Sequence, residues 1–140
     1  MTTDPNRPHV VARVPTEFEA SVIVSALEAA GIGRDRMVVD PGIGFGKTLD
    51  HNLALLAGLP QLVMEGVPLL VGLSRKRFIG EITGRDVNDR VAGSLAGLAY
   101  AVMQGTHIIR VHDVKESCDA ARMLDIVLRK ERERTEHPIR

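Results

Sequence analysis

The sequence has a single cysteine, Cys118, so no internal disulfide framework holds it together and the chain suits a reducing compartment. It has no net charge, with 18 Lys and Arg against 18 Asp and Glu. That removes any electrostatic reason to expect nucleic acid or an anionic membrane as partner. No apolar run approaches the roughly 18 residues of a membrane span. Met1-Thr2-Thr3-Asp4-Pro5 lacks the apolar stretch of a signal peptide, and a cytoplasmic protein is expected. Length is also short: a complete (β/α)₈ barrel takes about 250 residues, and 140 residues cannot close one. Internal repeats beyond a βα unit and low-complexity segments are absent. What remains, 44% hydrophobic and 26% charged residues, has the balance of one globular domain.

Pro5, Pro8 and Pro15 interrupt residues 1–15, which read as an irregular leader. Thr16 with Glu19 forms a capping-box pattern, and Phe18, Val22, Ala26, Leu27 and Ala30 recur at helical spacing until Gly31. Arg36-Met-Val-Val-Asp40 predicts a buried strand stopping at Pro41-Gly42. A helix is expected from about Thr48 or Asp50 to Gly58, burying Leu49, Leu53 and Leu56, and then a strand over Val67–Gly72. Ser74 to Gly84 is expected to be a loop. Val91, Leu95, Leu98 and Val102 mark a helix ending at Gly105, whose Ala92, Gly93, Ala96 and Gly97 permit a close neighbour. Ile108-Ile-Arg-Val-His112 predicts a third strand. Asp113 with Glu116 opens a last helix through Leu124, Val127 and Leu128, with a mixed-charge solvated end at Arg129–Glu136. Strands alternating with helices imply parallel pairing and right-handed crossovers.

The chemistry clusters by position. Asp40 ends the first expected strand, Ser74-Arg75-Lys76-Arg77 follows the second, and Arg110 with His112 closes the third. In parallel α/β folds such groups converge on one rim, where ligands bind. A carboxylate, several cations and an imidazole there suit an anionic, nitrogen-rich substrate. Asp40-Pro-Gly-Ile-Gly-Phe-Gly-Lys-Thr48 fails both nucleotide templates, since the P-loop needs glycine at Pro41 and the dinucleotide fingerprint needs it at Lys47. Gly42, Gly44 and Gly46 fit a loop whose backbone approaches a flat ligand with Phe45 beside it, or a tight turn with Phe45 in the core. Asp40 either caps the next turn or accepts two parallel N–H bonds from an amidine-like edge. The 74–77 cations are either a solvated face or a rim connection between apolar flanks. Arg110 and His112 share a strand face, and Arg110 needs Asp40, Asp113 or a ligand phosphate as partner. His51 and His107 are expected at the surface. No residue set has zinc-ligand spacing, so no protein-held transition metal is expected.

Asp40-Pro-Gly-Ile-Gly-Phe-Gly-Lys47, Gly72-Leu-Ser-Arg-Lys-Arg-Phe-Ile-Gly80 and Arg110-Val-His-Asp-Val114 resemble, in order and spacing, the C-terminal motifs of the dihydropteroate synthase family. The resemblance runs from about residue 10 to about residue 130. It implies an α/β fold, a partial (β/α)₈ TIM barrel comprising the last three βα units, with the pterin-binding part over 16–134 and a tail at 135–140. It implies the folate-synthesis transfer that joins 6-hydroxymethyl-7,8-dihydropterin diphosphate to p-aminobenzoate, inhibited by sulfonamides. Asp40 then grips the pterin's amino-pyrimidine edge, and Lys76 reaches the pterin ring and the p-aminobenzoate side. Arg110 and His112 form the diphosphate site, so Lys76, Arg110 and His112 carry the catalysis. Gly44, Phe45, Ser74 and Arg75 complete the substrate-binding set. Mg²⁺ is the expected cofactor, its protein ligand lying in the N-terminal half of the family barrel, and a homodimer is expected of the complete enzyme. No acid or base in this half needs a strongly shifted pKa.

Two departures are small: Ile43 stands where many members have a second Phe, and Arg77 where some have Ser. The large one is that the family's first five strands have no counterpart. A truncated synthase with little activity alone, associating or marginally folded, is therefore expected. The alternatives are a non-catalytic module that binds a partner through the Val91–Val102 helix, and another pterin-binding barrel family such as the corrinoid methyltransferases, to which the Ser-Arg-Lys and Arg-Val-His-Asp-Val pair does not belong.

Overall fold

Two prolines decide how much of the expected sheet forms. In the computed structural model, which describes residues 17–64 and 66–136, Val39 joins the sheet through one parallel bridge to Leu69. Val39 N–H donates to the Pro68 carbonyl at 3.0 Å and its carbonyl accepts from Leu70 N–H at 2.8 Å. The next ladder bond on either side would need an N–H from Pro41 or from Pro68, and proline has none. The strand expected over 36–40 is thus reduced to that bridge, and Arg34–Arg36 forms a 3₁₀ turn. The expected leader, the Thr16 and Glu19 side chains of the capping box, and the end of the tail lie outside the described residues.

Strand β1 (Leu70–Gly72) and strand β2 (Ile108–Arg110) pair in parallel, with Leu70 opposite Ile108 and Gly72 opposite Arg110. Just before them, the Leu69 carbonyl accepts from both His107 and Ile108 N–H at 3.0 Å. Leu69 N–H donates to His107 Nδ1 at 3.2 Å. The His107 ring is exposed, as expected, and it also closes the start of the sheet.

Helix α1 (Glu17–Ala29) buries Val24 against Met37 and Val67, with Leu27 beside them, while Val22 is half exposed. Helix α2 (Leu49–Ala57) starts on Thr48, whose hydroxyl accepts from His51 N–H at 3.2 Å. Its buried residue is Asn52, not Leu53, which is exposed.

The expected loop at 74–84 contains helix α3 (Arg77–Thr83). Phe78 and Ile79 enter the core, and Gly84, left-handed at φ 68°, ends the helix. Burial of those two side chains outweighs the weak intrinsic helicity of seven residues. Helix α4 (Val91–Met103) crosses behind this turn. A Cβ on Gly93 would stand 2.5 Å from Ile79 Cγ2, and one on Gly97 3.0 Å from Leu73 Cδ1, so the small residues permit the close approach expected of them. The main core joins Ile43, Leu59, Leu69, Val71, Leu73, Phe78, Ile79 and Ala101.

Helix α5 (Val114–Glu136) packs against α4, buries Ser117 and leaves much of its length in solvent. Its far end carries Arg129–Asp125 and Lys130–Glu133 pairs, each at 2.7 Å, both solvent-exposed and so of little weight for stability. No helix among the described residues is long and apolar enough to cross a membrane.

Candidate functional site

The first wall of the site is the 40–48 loop. Gly42, Gly44 and Gly46 adopt φ of 65°, 82° and 61°, a left-handed alternation that sends Ile43 into the core at 1% exposure and turns Phe45 outward at 61%. The core position open to Phe45 on sequence is therefore taken by Ile43. Asp40 does two things at once. Its Oδ1 accepts Gly42 N–H at 2.8 Å, and its Oδ2 lies 3.5 Å from Arg110 Nη2.

Two residues that sequence reasoning passed over hold the loop from beneath. Asn52, 2% exposed, accepts Gly44 N–H at 2.6 Å on Oδ1 and donates to the Thr48 carbonyl at 2.8 Å. Lys47 Nζ donates to the Gly42 carbonyl at 2.8 Å and to that of Phe45 at 3.3 Å. The available signal for Asn52 was an amide set among leucines on a short apolar helix.

The second wall follows β1. Ser74 is buried, and its Oγ accepts His112 N–H at 3.1 Å. Arg75 adopts a left-handed φ of 58°, which costs a non-glycine residue roughly 1–2 kcal/mol. Its guanidinium forms a two-toothed ion pair with Asp113, with Nε to Oδ2 at 3.1 Å. That guanidinium holds the Asp113 carboxyl below the usual carboxylate range. Arg75 therefore braces the rim rather than facing the cleft.

Lys76 points the other way. Its Nζ donates to the Ile43 carbonyl and sits 4.1 Å from the centre of the Phe45 ring. Burial, followed by the nearby Arg110 charge, pushes its pKa down, and Asp40 opposes the shift.

The third wall is the end of β2. The strand stops at Arg110, so His112 lies in the segment beyond it and not on a shared strand face. Its backbone braces Ser74 and its ring is exposed. The rim thus gathers Asp40, Phe45, Lys76 and Arg110 closely, with His112 at its edge and Arg75 behind it. Three cations, Lys47, Lys76 and Arg110, stand around a single carboxylate. Such a set accepts anionic groups while leaving one acceptor for N–H donors. A separate depression of about 450 Å³ lies between α2 and α3, lined among others by Gly44, Lys47, Asn52, Arg77 and Glu81. It shares Gly44 and Lys47 with the rim but not Asp40, Lys76 or Arg110.

Among the described residues no group of three or more His, Cys, Asp or Glu side chains comes together to hold a metal. Asp40 is the single carboxylate of this rim, so the described residues do not gather a Mg²⁺ ligand set by themselves.

Gly44 couples the first two walls. A Cβ there would overlap Lys76 Cδ while the residue holds φ 82°. Gly44→Ala is expected to lower stability by about 1–2 kcal/mol and to displace Lys76 from Phe45. Urea unfolding and the ring-current shift on the Lys76 ε protons measure the two effects.

The family of pterin binding enzymes matches residues 1–112 of the chain. The dihydropteroate synthase of Escherichia coli strain K12 is 48% identical over 105 residues, covering 75% of this chain and 37% of that protein. The Xanthomonas albilineans dihydropteroate synthase in complex with 7,8-dihydropteroate superposes with a TM-score of 0.75 at 45% identity, over 89% of this chain and 48% of that one. The same enzyme with 4-aminobenzoic acid gives 0.75 at 43% identity, over 91% and 47%. The chain thus spans less than half the length of these relatives. It belongs to the pterin binding enzymes, within the dihydropteroate synthase family.

Proposed function

We propose that these residues are the last three βα units of a dihydropteroate synthase barrel and form one wall of the site that joins 6-hydroxymethyl-7,8-dihydropterin diphosphate to p-aminobenzoate. The observation that carries this reading is the meeting of Asp40, Lys76 and Arg110 beyond the carboxyl ends of three parallel segments, at Val39, β1 and β2. The solved relatives bound to 7,8-dihydropteroate and 4-aminobenzoic acid support it.

In this reading the Asp40 carboxylate receives the N–H groups of the amino-pyrimidine edge. Lys76 stands between the pterin and p-aminobenzoate. Phe45, Gly44 and the Ser74-Arg75 turn border the p-aminobenzoate. Arg110, with His112 beside it, neutralises the leaving diphosphate. The aromatic amine nitrogen bonds to the pterin methylene carbon as that carbon's bond to the diphosphate oxygen breaks, and the amine gives up one proton. Fixed cations placed where negative charge gathers on the leaving group lower the barrier without reorganising. Mg²⁺, were it held by other parts of the complete barrel, would add further neutralisation of the diphosphate to that from Arg110. The exposed apolar residues Met123, Ile126 and Val127 on one side of α5 give the complete enzyme a face suited to a homodimer in the cytoplasm.

The test is a chimera in which the first five βα units of the Escherichia coli relative precede residue 16 of this chain. A folded chimera is expected to form 7,8-dihydropteroate, and the 140 residues alone to form little or none. A folded chimera without turnover, or comparable turnover by the 140 residues alone, contradicts the proposal.

A further inference from the structure

Arg75 is the one non-glycine residue at positive φ among those described, and both polar groups of its backbone end on α4 or on Arg90, the residue that caps its start. Its N–H donates to Ser94 Oγ at 2.9 Å, and its carbonyl accepts from Arg90 Nη1 at 3.1 Å. Ser94 is buried at 6% exposure, and its hydroxyl donates in turn to the Arg90 carbonyl at 2.7 Å. That hydroxyl therefore uses its donor and one acceptor position, and the acceptor position is what satisfies the Arg75 N–H. The residue after this turn is Lys76, whose N–H returns to the Leu73 carbonyl at 3.1 Å and whose side chain crosses to Ile43 and Phe45.

A left-handed non-glycine residue persists only where its surroundings over-determine it. Here the Asp113 pair holds the Arg75 side chain and α4 holds its backbone. Without the Ser94 hydroxyl, a part-buried N–H loses its acceptor, and the turn gains by relaxing to a right-handed conformation that redirects the next side chain. Sequence reading gave Ser94 no role because it sits in an apolar helix.

We propose that Ser94 is a positioning residue for Lys76, fixing the left-handed turn at Arg75 that aims the lysine at the 43–45 loop. Its value to catalysis rests on the reading of Lys76 as the substrate-facing cation, but its geometry can be tested apart from that reading.

The experiment is NMR on the full 140-residue chain with ¹³Cε-labelled lysine, the Lys76 signal being identified by its loss in Lys76→Arg. Arg110, Asp40 and Lys47 are the charged groups acting on Lys76, and all three are retained. In Ser94→Ala, and in the near-isosteric Ser94→Cys with its weak hydrogen-bonding thiol, the Lys76 midpoint is expected to rise toward the ordinary lysine value. The Phe45 ring-current shift on its ε protons is expected to vanish. Lys115 and Lys130 stay unchanged, and Ser94→Thr, which keeps the hydroxyl, retains the original Lys76 behaviour. If Ser94→Ala does not fold, Ser94→Cys carries the test. An unchanged Lys76 midpoint and ring shift in folded Ser94→Cys, or a Ser94→Thr that behaves like Ser94→Ala, overturns the proposal. A folded chimera lacking synthase activity would sink the functional reading and leave these signals where they are.

Discussion

Lys76→Ala in the completed barrel is expected to lower kcat/KM at least about 100-fold, the scale seen when one preorganised donor to developing charge is removed. The expectation follows from place and environment. Lys76 is the cation that reaches from the second wall to the first, against Ile43 and Phe45, and it does so partly desolvated. A cation in such surroundings acts more strongly on charge that shifts between the pterin and the p-aminobenzoate than one in water. Lys76→Arg is expected to recover little, because a planar guanidinium does not fit the point-charge position beneath the Phe45 ring.

Burial also disfavours the charged lysine, so the alkaline limb of the pH profile is expected below the ordinary lysine value of 10.5. The folded chain releases this proton more readily than the unfolded one. The Lys76 contribution to stability therefore rises with pH between its folded value and 10.5. Steady-state kinetics across pH checks the first two points. Unchanged kcat/KM in Lys76→Ala would remove Lys76 from the reaction.

Leu69→Ala is expected to cost about 2–5 kcal/mol, as large-to-small changes at fully buried positions do. Leu69 is 0% exposed, belongs to the main core, and its backbone stands opposite Val39 and bonds to His107 and Ile108. Its side chain belongs to the core that Val71 enters and against which Val39 and Ile109 pack, one residue from each parallel segment. With a urea dependence of about 1–3 kcal/mol per molar, the unfolding midpoint should fall by about 1 M or more, and a marginal fold would lose its cooperative transition. Ile82→Ala at an exposed position of α3 is the control, with a change within about 0.5 kcal/mol. Equal shifts for the two variants would contradict this view of the core.

The parts of the molecule legible in the sequence were those set by local pattern. Apolar periodicity placed α4, Thr48 began α2, and short apolar runs located β1 and β2. Position along the chain was enough to bring Asp40, Lys76 and Arg110 to one rim. The rest depended on partners distant in sequence. The strand at 36–40 failed because Pro68, on the neighbouring segment, offers no N–H where Pro41 offers none either. Helix α3 was hidden because its helicity comes from burying Phe78 and Ile79, not from propensity. The division of labour between the two adjacent cations was also invisible. Arg75 turns back to Asp113 while Lys76 turns into the cleft, and the left-handed turn that separates them is held by bonds to Ser94 on α4 and to Arg90 just before it. Asn52 was overlooked for the same reason, since its worth lies in the Gly44 N–H it satisfies.

The central claim is that the segments at 40–47, 74–76 and 110–112 form one continuous wall around the substrates. A crystal structure of the completed barrel with bound 7,8-dihydropteroate tests it most directly. The expected result has the Asp40 carboxylate on the amino-pyrimidine edge, Lys76 Nζ beside the bond that joins the two halves of the product, and Phe45 against its aromatic ring. Product bound with its pterin away from Asp40 and Lys76, for instance in the depression between α2 and α3, would contradict the account.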